Sequence, residues 1–101
     1  MKMLMHVRFP VGPFNAAVRD GSAGPKIQRI LEAIKPEAAY FTSAKGRRGG
    51  TLVVNLSEPS DIPALAEPFF LTFDAEVELE PFMTAEDLAS GGLDALGADW
   101  G

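Results

Sequence analysis

The sequence contains no cysteine and only one histidine, one tryptophan and one tyrosine. The lack of cysteine excludes disulfides, thiolate metal sites and cysteine nucleophiles. With a single histidine and no carboxylates at ligand spacing, we expect neither a metal site nor a cofactor. No apolar run approaches the roughly 20 residues of a membrane span, so no membrane partner is expected. The first nine residues lack the apolar stretch of a secretory signal, and we therefore expect a cytoplasmic protein.

Basic residues are also scarce. Nine lysines and arginines stand against fourteen acidic residues, which gives a net charge of −5. A protein that binds by neutralising phosphates needs the opposite balance, so nucleic acid is not an expected partner. The 101 residues, 47% of them hydrophobic, suit one globular domain that spans residues 1–101.

Residues 2–10 have the pattern of a β-strand ended by proline. Side chains alternate across a strand, so its residues divide between two faces. One face is apolar and is predicted to join the core: Met3, Met5, Val7 and Phe9. The other face carries Leu4, His6 and Arg8. Because it contains the only histidine beside an arginine, this second face is the clearest chemical signal in the chain.

A turn is predicted at residues 10–13, followed by helical character over residues 14–35. The second half carries one apolar stripe at helical spacing, formed by Ile27, Ile30, Leu31 and Ile34. The first half is interrupted by Gly21, Gly24 and Pro25. Two interpretations remain open: a separate helix beginning near Ala23 or Gly24, with proline in its first turn, or one kinked helix.

The second half of the chain predicts two strands, a helix and a final strand. The strands cover residues 38–43 and 51–56, joined by a glycine-rich hairpin at 45–50, and the second is expected to be central and buried on both faces. A short helix follows from Ile62 through Phe69, which Pro68 is expected to break or bend. The last strand, residues 75–82, alternates acids with apolar residues.

The chain ends in a predicted helical tail. Thr84-x-x-Asp87 is a helix-start pattern, and a glycine-rich segment runs from there to Trp100. The element order before it is that of the ferredoxin-like βαββαβ fold, an α+β fold with a four-stranded antiparallel sheet and both main helices on one face. That arrangement leaves the second sheet face bare. Two copies packed face to face would cover it, so we predict a homodimer with twofold symmetry.

Three segments resemble the muconolactone isomerase family, and more broadly the dimeric α+β barrel superfamily. They are Met3-Leu4-Met5-His6-Val7-Arg8, the segment from Val54 to Ser60 at a strand-to-helix junction, and residues 65–80 leading into the last strand. The resemblance implies a barrel pocket that holds a small organic acid or aromatic compound and isomerises or oxidises it. The interruption at Gly21–Pro25 and the tail at Gly91–Gly101 have no counterpart in this resemblance.

Within that frame His6, Arg8 and Glu78 are the candidate catalytic residues. A histidine or a carboxylate could move the proton while Arg8 holds the substrate carboxylate. Tyr40 and Asn55 are candidate substrate-binding residues, since their side chains could point from their strands into a pocket. Whether His6 and the acids share one face depends on strand register, and the competing interpretation is that His6 is a packed structural residue.

Two further signals have a functional and a structural interpretation. Arg47 and Arg48 among glycines could bind an anion, or could be a solvated hairpin turn. The three acids of the last strand, Glu76, Glu78 and Glu80, could protect a sheet edge from aberrant pairing. The alternative for the whole protein is a non-catalytic dimeric domain that binds a ligand or belongs to an assembly.

Overall fold

Four strands form one antiparallel sheet, and three helices pack on one side of it. The computed structural model describes all 101 residues. The elements are β1 Lys2–Arg8, α1 Val11–Arg19, α2 Ala23–Ile34, β2 Ala38–Ala44, β3 Arg47–Asn55, α3 Ile62–Phe73, β4 Glu76–Pro81, α4 Ala85–Ala89 and α5 Leu93–Trp100. The strands lie in the order β2-β3-β1-β4, which confirms the predicted α+β, ferredoxin-like fold. None of the helices has both the length and the apolar character needed to cross a membrane.

The two faces of β1 are divided as predicted. Met5 and Val7 are buried beneath the helices, whereas His6 and Arg8 lie on the opposite side of the sheet. We call the covered side the helical face and the other side the open face. The strand residues that form the core on the helical face are Met3, Met5, Val7, Leu52 and Val54, and Phe9 joins them directly after β1. The core is therefore one-sided, since no helix of the chain covers the open face.

A cluster of aromatic rings joins the end of β1 to two helices. The Phe9 ring lies 4.6 Å from that of Phe14 in α1 and 5.1 Å from that of Phe73 in α3, measured between centroids. The rings of Phe14 and Phe73 stack at 5.1 Å. Arg48 covers the outer side of this cluster, with its guanidinium 5.0 Å from the Phe14 ring centroid. These contacts fix both helices against the sheet beside the open face's polar end.

The segment between β1 and β2 consists of two separate helices, which decides between the two interpretations left open by the sequence. α2 begins at Ala23, and Gly21 between the helices has a φ of +81°, a conformation that glycine adopts without steric cost. The predicted turn at residues 10–13 is wrong, because α1 begins at Val11. Pro13 falls in its first turn, where a missing N–H costs no hydrogen bond.

The helix before the last strand is longer than predicted. α3 continues through Pro68 to Phe73 instead of ending near Phe69. Proline removes one N–H donor from the helix, but buried Leu65, Phe69 and Phe73 lie on one face on both sides of it. Burial of that apolar face holds the helix together across the proline.

The hairpin between β2 and β3 is shorter than predicted. Only Lys45 and Gly46 form the turn, with φ of 54° and 74°, as two-residue hairpins of type I′ require. β3 therefore starts at Arg47 and includes Gly49 and Gly50. It is an inner strand as expected, but the prediction that it is buried on both faces is wrong for the single chain: its open face is half-buried or exposed.

Residues 82–101, which we call the C-terminal arm, project from the body. Thr84 caps α4 as predicted: its hydroxyl accepts from the Asp87 backbone N–H at 3.1 Å, and its own N–H donates to the Asp87 carboxylate at 3.0 Å. These hydrogen bonds, chiefly the one from the Thr84 backbone, lower the pKa of Asp87. The molecule measures 59 × 29 × 19 Å, and its radius of gyration is 17.1 Å. A compact domain of this length has a radius of gyration of about 13 Å.

Candidate functional site on the open face

The strand register brings the basic and acidic side chains of the open face together. β1 lies between β3 and β4, and it is antiparallel to both. His6 lies opposite Thr51 on one side and Glu78 on the other, while Arg8 lies between Gly49 and Glu76. The register that sequence patterns left undetermined therefore places both sets on one face.

His6 is held between a hydroxyl and a carboxylate. Its Nδ1 lies 3.1 Å from Thr51 Oγ1, and its Nε2 lies 2.6 Å from Glu80 Oε1. Because an ionised carboxylate can only accept, Nε2 carries a hydrogen that it donates to Glu80. In the neutral imidazole, Nδ1 then accepts from the Thr51 hydroxyl. This places carboxylate, imidazole and hydroxyl in one chain of hydrogen bonds, with 39% of the His6 side chain exposed.

A depression of about 250 Å³ lies beside His6. Its lining comprises His6, Val7, Arg8, Thr42, Ala44, Arg47, Arg48, Gly49, Gly50, Thr51, Glu76 and Glu78. Gly49 contributes to its floor, at the point where β3 pairs with β1. A Cβ atom at this position would lie 2.6 Å from the Val7 carbonyl oxygen, closer than real Cβ contacts allow. The missing side chain thus permits close strand approach and leaves space above the sheet.

The three arginines around the depression have different surroundings. Arg47 donates from Nε to the Phe9 carbonyl at 3.3 Å and reaches Glu76 at 3.6 Å. Arg48 points to the helical side, where it donates to Asn15 Oδ1 at 2.7 Å. Arg8 is exposed and forms no ion pair within the chain. Arg47 and Arg48 belong to β3 and brace the sheet end, so Arg8 is the cation most available to an added anion.

The sequence-predicted site residues are not all gathered at this depression. His6, Arg8 and Glu78 line it. Tyr40 lies opposite Thr51 on β2, with 66% of its surface exposed, and is outside the lining. Asn55 lies at the other end of β3, opposite Lys2, where its side-chain oxygen is 3.4 Å from the amino terminus.

Sequence reasoning missed two features of the His6 environment. Thr51 was assigned only to a strand, although its hydroxyl is one of the two groups that hold the imidazole. The carboxylate that contacts His6 is not that of the directly opposite Glu78 but that of Glu80, two residues further along β4. A signal for Thr51 existed: alternation from buried Leu52 places it on the open face. No local signal indicated which acid His6 reaches.

A small apolar patch lies on the open face beyond the depression. Leu4 of β1 lies opposite Val53 of β3, and Val53 lies opposite Ala38 of β2. All three are only half-buried in the single chain. The open face therefore has the depression at its charged end and, next to it, an uncovered apolar patch that is bordered by Glu80, opposite Leu4, and by Lys2 and Asn55.

Comparisons with known proteins do not assign the chain to a family: it matches no model of a protein family and no curated protein sequence. The likeness to the muconolactone isomerase family therefore stays a prediction. No group of three or more histidine, aspartate or glutamate side chains is arranged to hold a metal ion. What the site offers chemically is one hydrogen-bonded imidazole, one unpaired guanidinium and a surrounding set of carboxylates.

Proposed function

We propose that the protein binds a small organic acid in the open-face depression and transfers a proton to or from it through His6. The observation that carries this proposal is the position of His6, hydrogen-bonded to both Thr51 and Glu80 beside the unpaired guanidinium of Arg8. An arginine recognises a carboxylate through two parallel N–H donors. A substrate held in this way would place its neighbouring carbon over the imidazole.

The three groups around His6 have complementary roles in this proposal. Glu80 fixes the ring orientation by accepting from Nε2, which leaves Nδ1 as the basic atom. Nδ1 faces the Thr51 hydroxyl, which can rotate away or relay the proton. Glu78 lines the same depression and is a second carboxylate for proton return. This chemistry matches the 1,3-proton shift that moves the double bond of an unsaturated lactone acid, the reaction implied by the family resemblance.

The proposal includes a homodimer formed by two open faces. The half-buried Leu4, Val53 and Ala38 supply an apolar contact, and packing two such patches together would remove them from water. The single-chain depression of about 250 Å³ is smaller than the roughly 300–1,000 Å³ of ligand pockets. A second copy would close it and add its own wall. The dimer thus accounts for the ligand site and for the bare sheet face.

The binding step is tested with a panel of small carboxylic acids, including benzoate and an unsaturated lactone acid, by NMR shift mapping. Signals of His6, Thr51 and Glu78 are expected to move. Arg8→Gln should weaken binding about tenfold or more, because it removes a charge-assisted contact. Arg19→Gln, an exposed arginine in the last turn of α1 on the helical side, is the matched control. Equal weakening by both variants would reduce Arg8 to a general charge effect and reject the proposed site.

The proton step is tested by deuterium uptake at the carbon atoms next to the carboxylate of a bound acid in heavy water. This measurement requires no knowledge of the net reaction. His6→Ala should abolish uptake while the fold and acid binding persist. A non-catalytic ligand-binding domain is the second candidate, favoured by the small and open depression. Binding without deuterium uptake by the wild-type protein would select that candidate. Failure of every acid to bind would reject both.

A further inference from the structure

The C-terminal arm is a folded segment whose apolar side chains contact no core. Every residue from 83 to 101 is exposed, although α4 is capped and α5 forms two helical turns. The large apolar side chains left in water are Met83, Leu88, Leu93, Leu96 and Trp100. Three of them, Leu93, Leu96 and Trp100, fall at positions i, i+3 and i+7 on α5. This is the pattern of a helix that inserts one face into a groove.

A groove of suitable character lies on the helical side of the body, between α2 and α3. Its volume is about 690 Å³, and much of its wall is apolar. It is lined by Lys26, Arg29, Ile30, Ala33, Pro63, Ala64, Glu67, Pro68, Leu71 and Thr72. Leu71 of α3 is one of these lining residues, and 81% of its surface is exposed. The arm of the same chain does not occupy this groove.

Charge favours the arm as the occupant. The arm carries four acids, Glu86, Asp87, Asp94 and Asp99, and no basic residue. The groove carries Lys26 and Arg29 on the α2 side against the single acid Glu67 on the α3 side. An acidic helix with an apolar stripe thus meets an apolar groove with a cationic rim. Opposite charges at the rim guide association, while the buried apolar contacts supply most of the affinity.

We propose that the C-terminal arm of one chain docks in the α2/α3 groove of a second copy, with Trp100 and Leu96 contacting Leu71. In a twofold pair each arm fills the partner's groove, so one contact is made twice, as in exchanged-segment dimers. The long dimension of 59 Å places the arm beyond its own body, where a second copy can receive it. This contact lies on the helical side and does not depend on the open-face ligand site.

Trp100 is the only tryptophan, so its fluorescence reports on the arm directly. In the full chain at high concentration its emission should be blue-shifted, as expected for an indole shielded from water. Leu71→Asp should return the emission to that of a solvated indole. Val18→Asp, which changes an exposed valine on α1 away from the groove, should leave the emission unchanged. On α5 itself, Leu96→Asp should match Leu71→Asp, whereas Ala98→Asp on the opposite helix face should leave the emission unchanged.

Mixing two variants distinguishes docking between copies from docking within one chain. The Leu71→Asp chain has a reporter arm and a blocked groove, and the Trp100→Ala chain has an open groove and no tryptophan. An excess of the second should blue-shift the emission of the first and raise its sedimentation coefficient. Both side chains are more than 80% exposed, so both variants should fold, which circular dichroism checks.

Three outcomes would overturn the proposal. One is a wild-type emission already typical of solvated indole, and another is a Leu71→Asp spectrum equal to that of the wild type. The third is a mixture that equals the sum of its parts, which would place the arm on its own body. None of these results bears on acid binding by Arg8, so failure here is distinguishable from failure of the proposed function.

Discussion

The two faces of the sheet are built from the same strands but differ in burial and in polar side chains. On the helical face, Met5, Leu52 and Val54 are almost completely buried, and no polar side chain of the chain is buried with them. On the open face, His6, Thr51 and Glu80 form a hydrogen-bonded chain that remains partly in water. The helical face stabilises the fold by removing apolar side chains from water, and the open face carries the residues of the proposed chemistry. The difference predicts that equivalent substitutions will have unequal effects on the two faces.

The largest effect is expected at the aromatic cluster. Phe9→Ala should lower the free energy of unfolding by about 3–5 kcal/mol, because it removes the ring that joins Phe14 and Phe73 and leaves a cavity. Leu4→Ala, on the same strand but on the open face, should cost about 1 kcal/mol in dilute protein. Urea denaturation of both variants measures the difference. Equal losses would mean that the open face is packed as firmly as the helical face.

The next effect concerns the glycine beneath the depression. Gly49→Ala should destabilise the fold by about 1–3 kcal/mol, because its Cβ would lie 2.6 Å from the Val7 carbonyl and the strands would have to separate. Gly12→Ala is the matched control: nothing lies within 4 Å of its added methyl, and it lies in α1. That substitution should stabilise by up to about 1 kcal/mol. A neutral Gly49→Ala variant would contradict the close strand approach.

A third effect concerns the proposed homodimer. Leu4→Glu should leave the unfolding of dilute protein within about 1 kcal/mol of wild type, since this side chain is only half-buried. It should weaken dimerisation at least tenfold, because it introduces a charge into the proposed apolar contact. Sedimentation equilibrium across a range of concentrations gives the dissociation constant, with every chain also carrying Leu71→Asp so that docking of the arm between copies does not contribute. Val18→Glu on α1 is the control, and an unchanged Leu4→Glu dimer would exclude the open face as the interface.

Sequence patterns predict the two faces well because the relevant periods are local. Alternation in β1 separated Met5 from His6, and the helical spacing of α2 located its buried stripe. The same patterns misplaced the start of β3, since Gly49 and Gly50 resemble turn residues. Gly49 allows a close backbone contact with Val7, more than forty positions away in the chain, and Gly50 allows one with Tyr40 on the neighbouring strand. A propensity that usually signals a turn here serves close strand packing.

The site was predicted in part for the same reason. His6, Arg8 and Glu78 could be placed on one strand or another, but their meeting depends on the pairing of β1 with β3 and β4. That register is set by long-range packing and not by local spacing. The choice of Glu80 over Glu78 as the partner of His6 is finer still, because it depends on a diagonal contact between neighbouring strands. The arm was predicted as helical, and its sequence offers Trp100 as an anchor on a second copy, but it does not show which surface would receive that side chain.

The smallest effect separates the role of a hydroxyl from that of its strand. Thr51→Val keeps the shape and the strand propensity but removes the group at Nδ1 of His6, so stability should fall by only about 1 kcal/mol. Thr42→Val, also on the open face and lining the depression but without a hydrogen bond to His6, should be neutral. The sharper readout is the nitrogen NMR spectrum of His6. If Thr51 donates to Nδ1, the Nδ1 resonance should move in Thr51→Val and stay in Thr42→Val. An unmoved resonance in both variants would show that the imidazole is oriented by Glu80 alone, and the open face would then hold a carboxylate–imidazole pair without a hydroxyl partner.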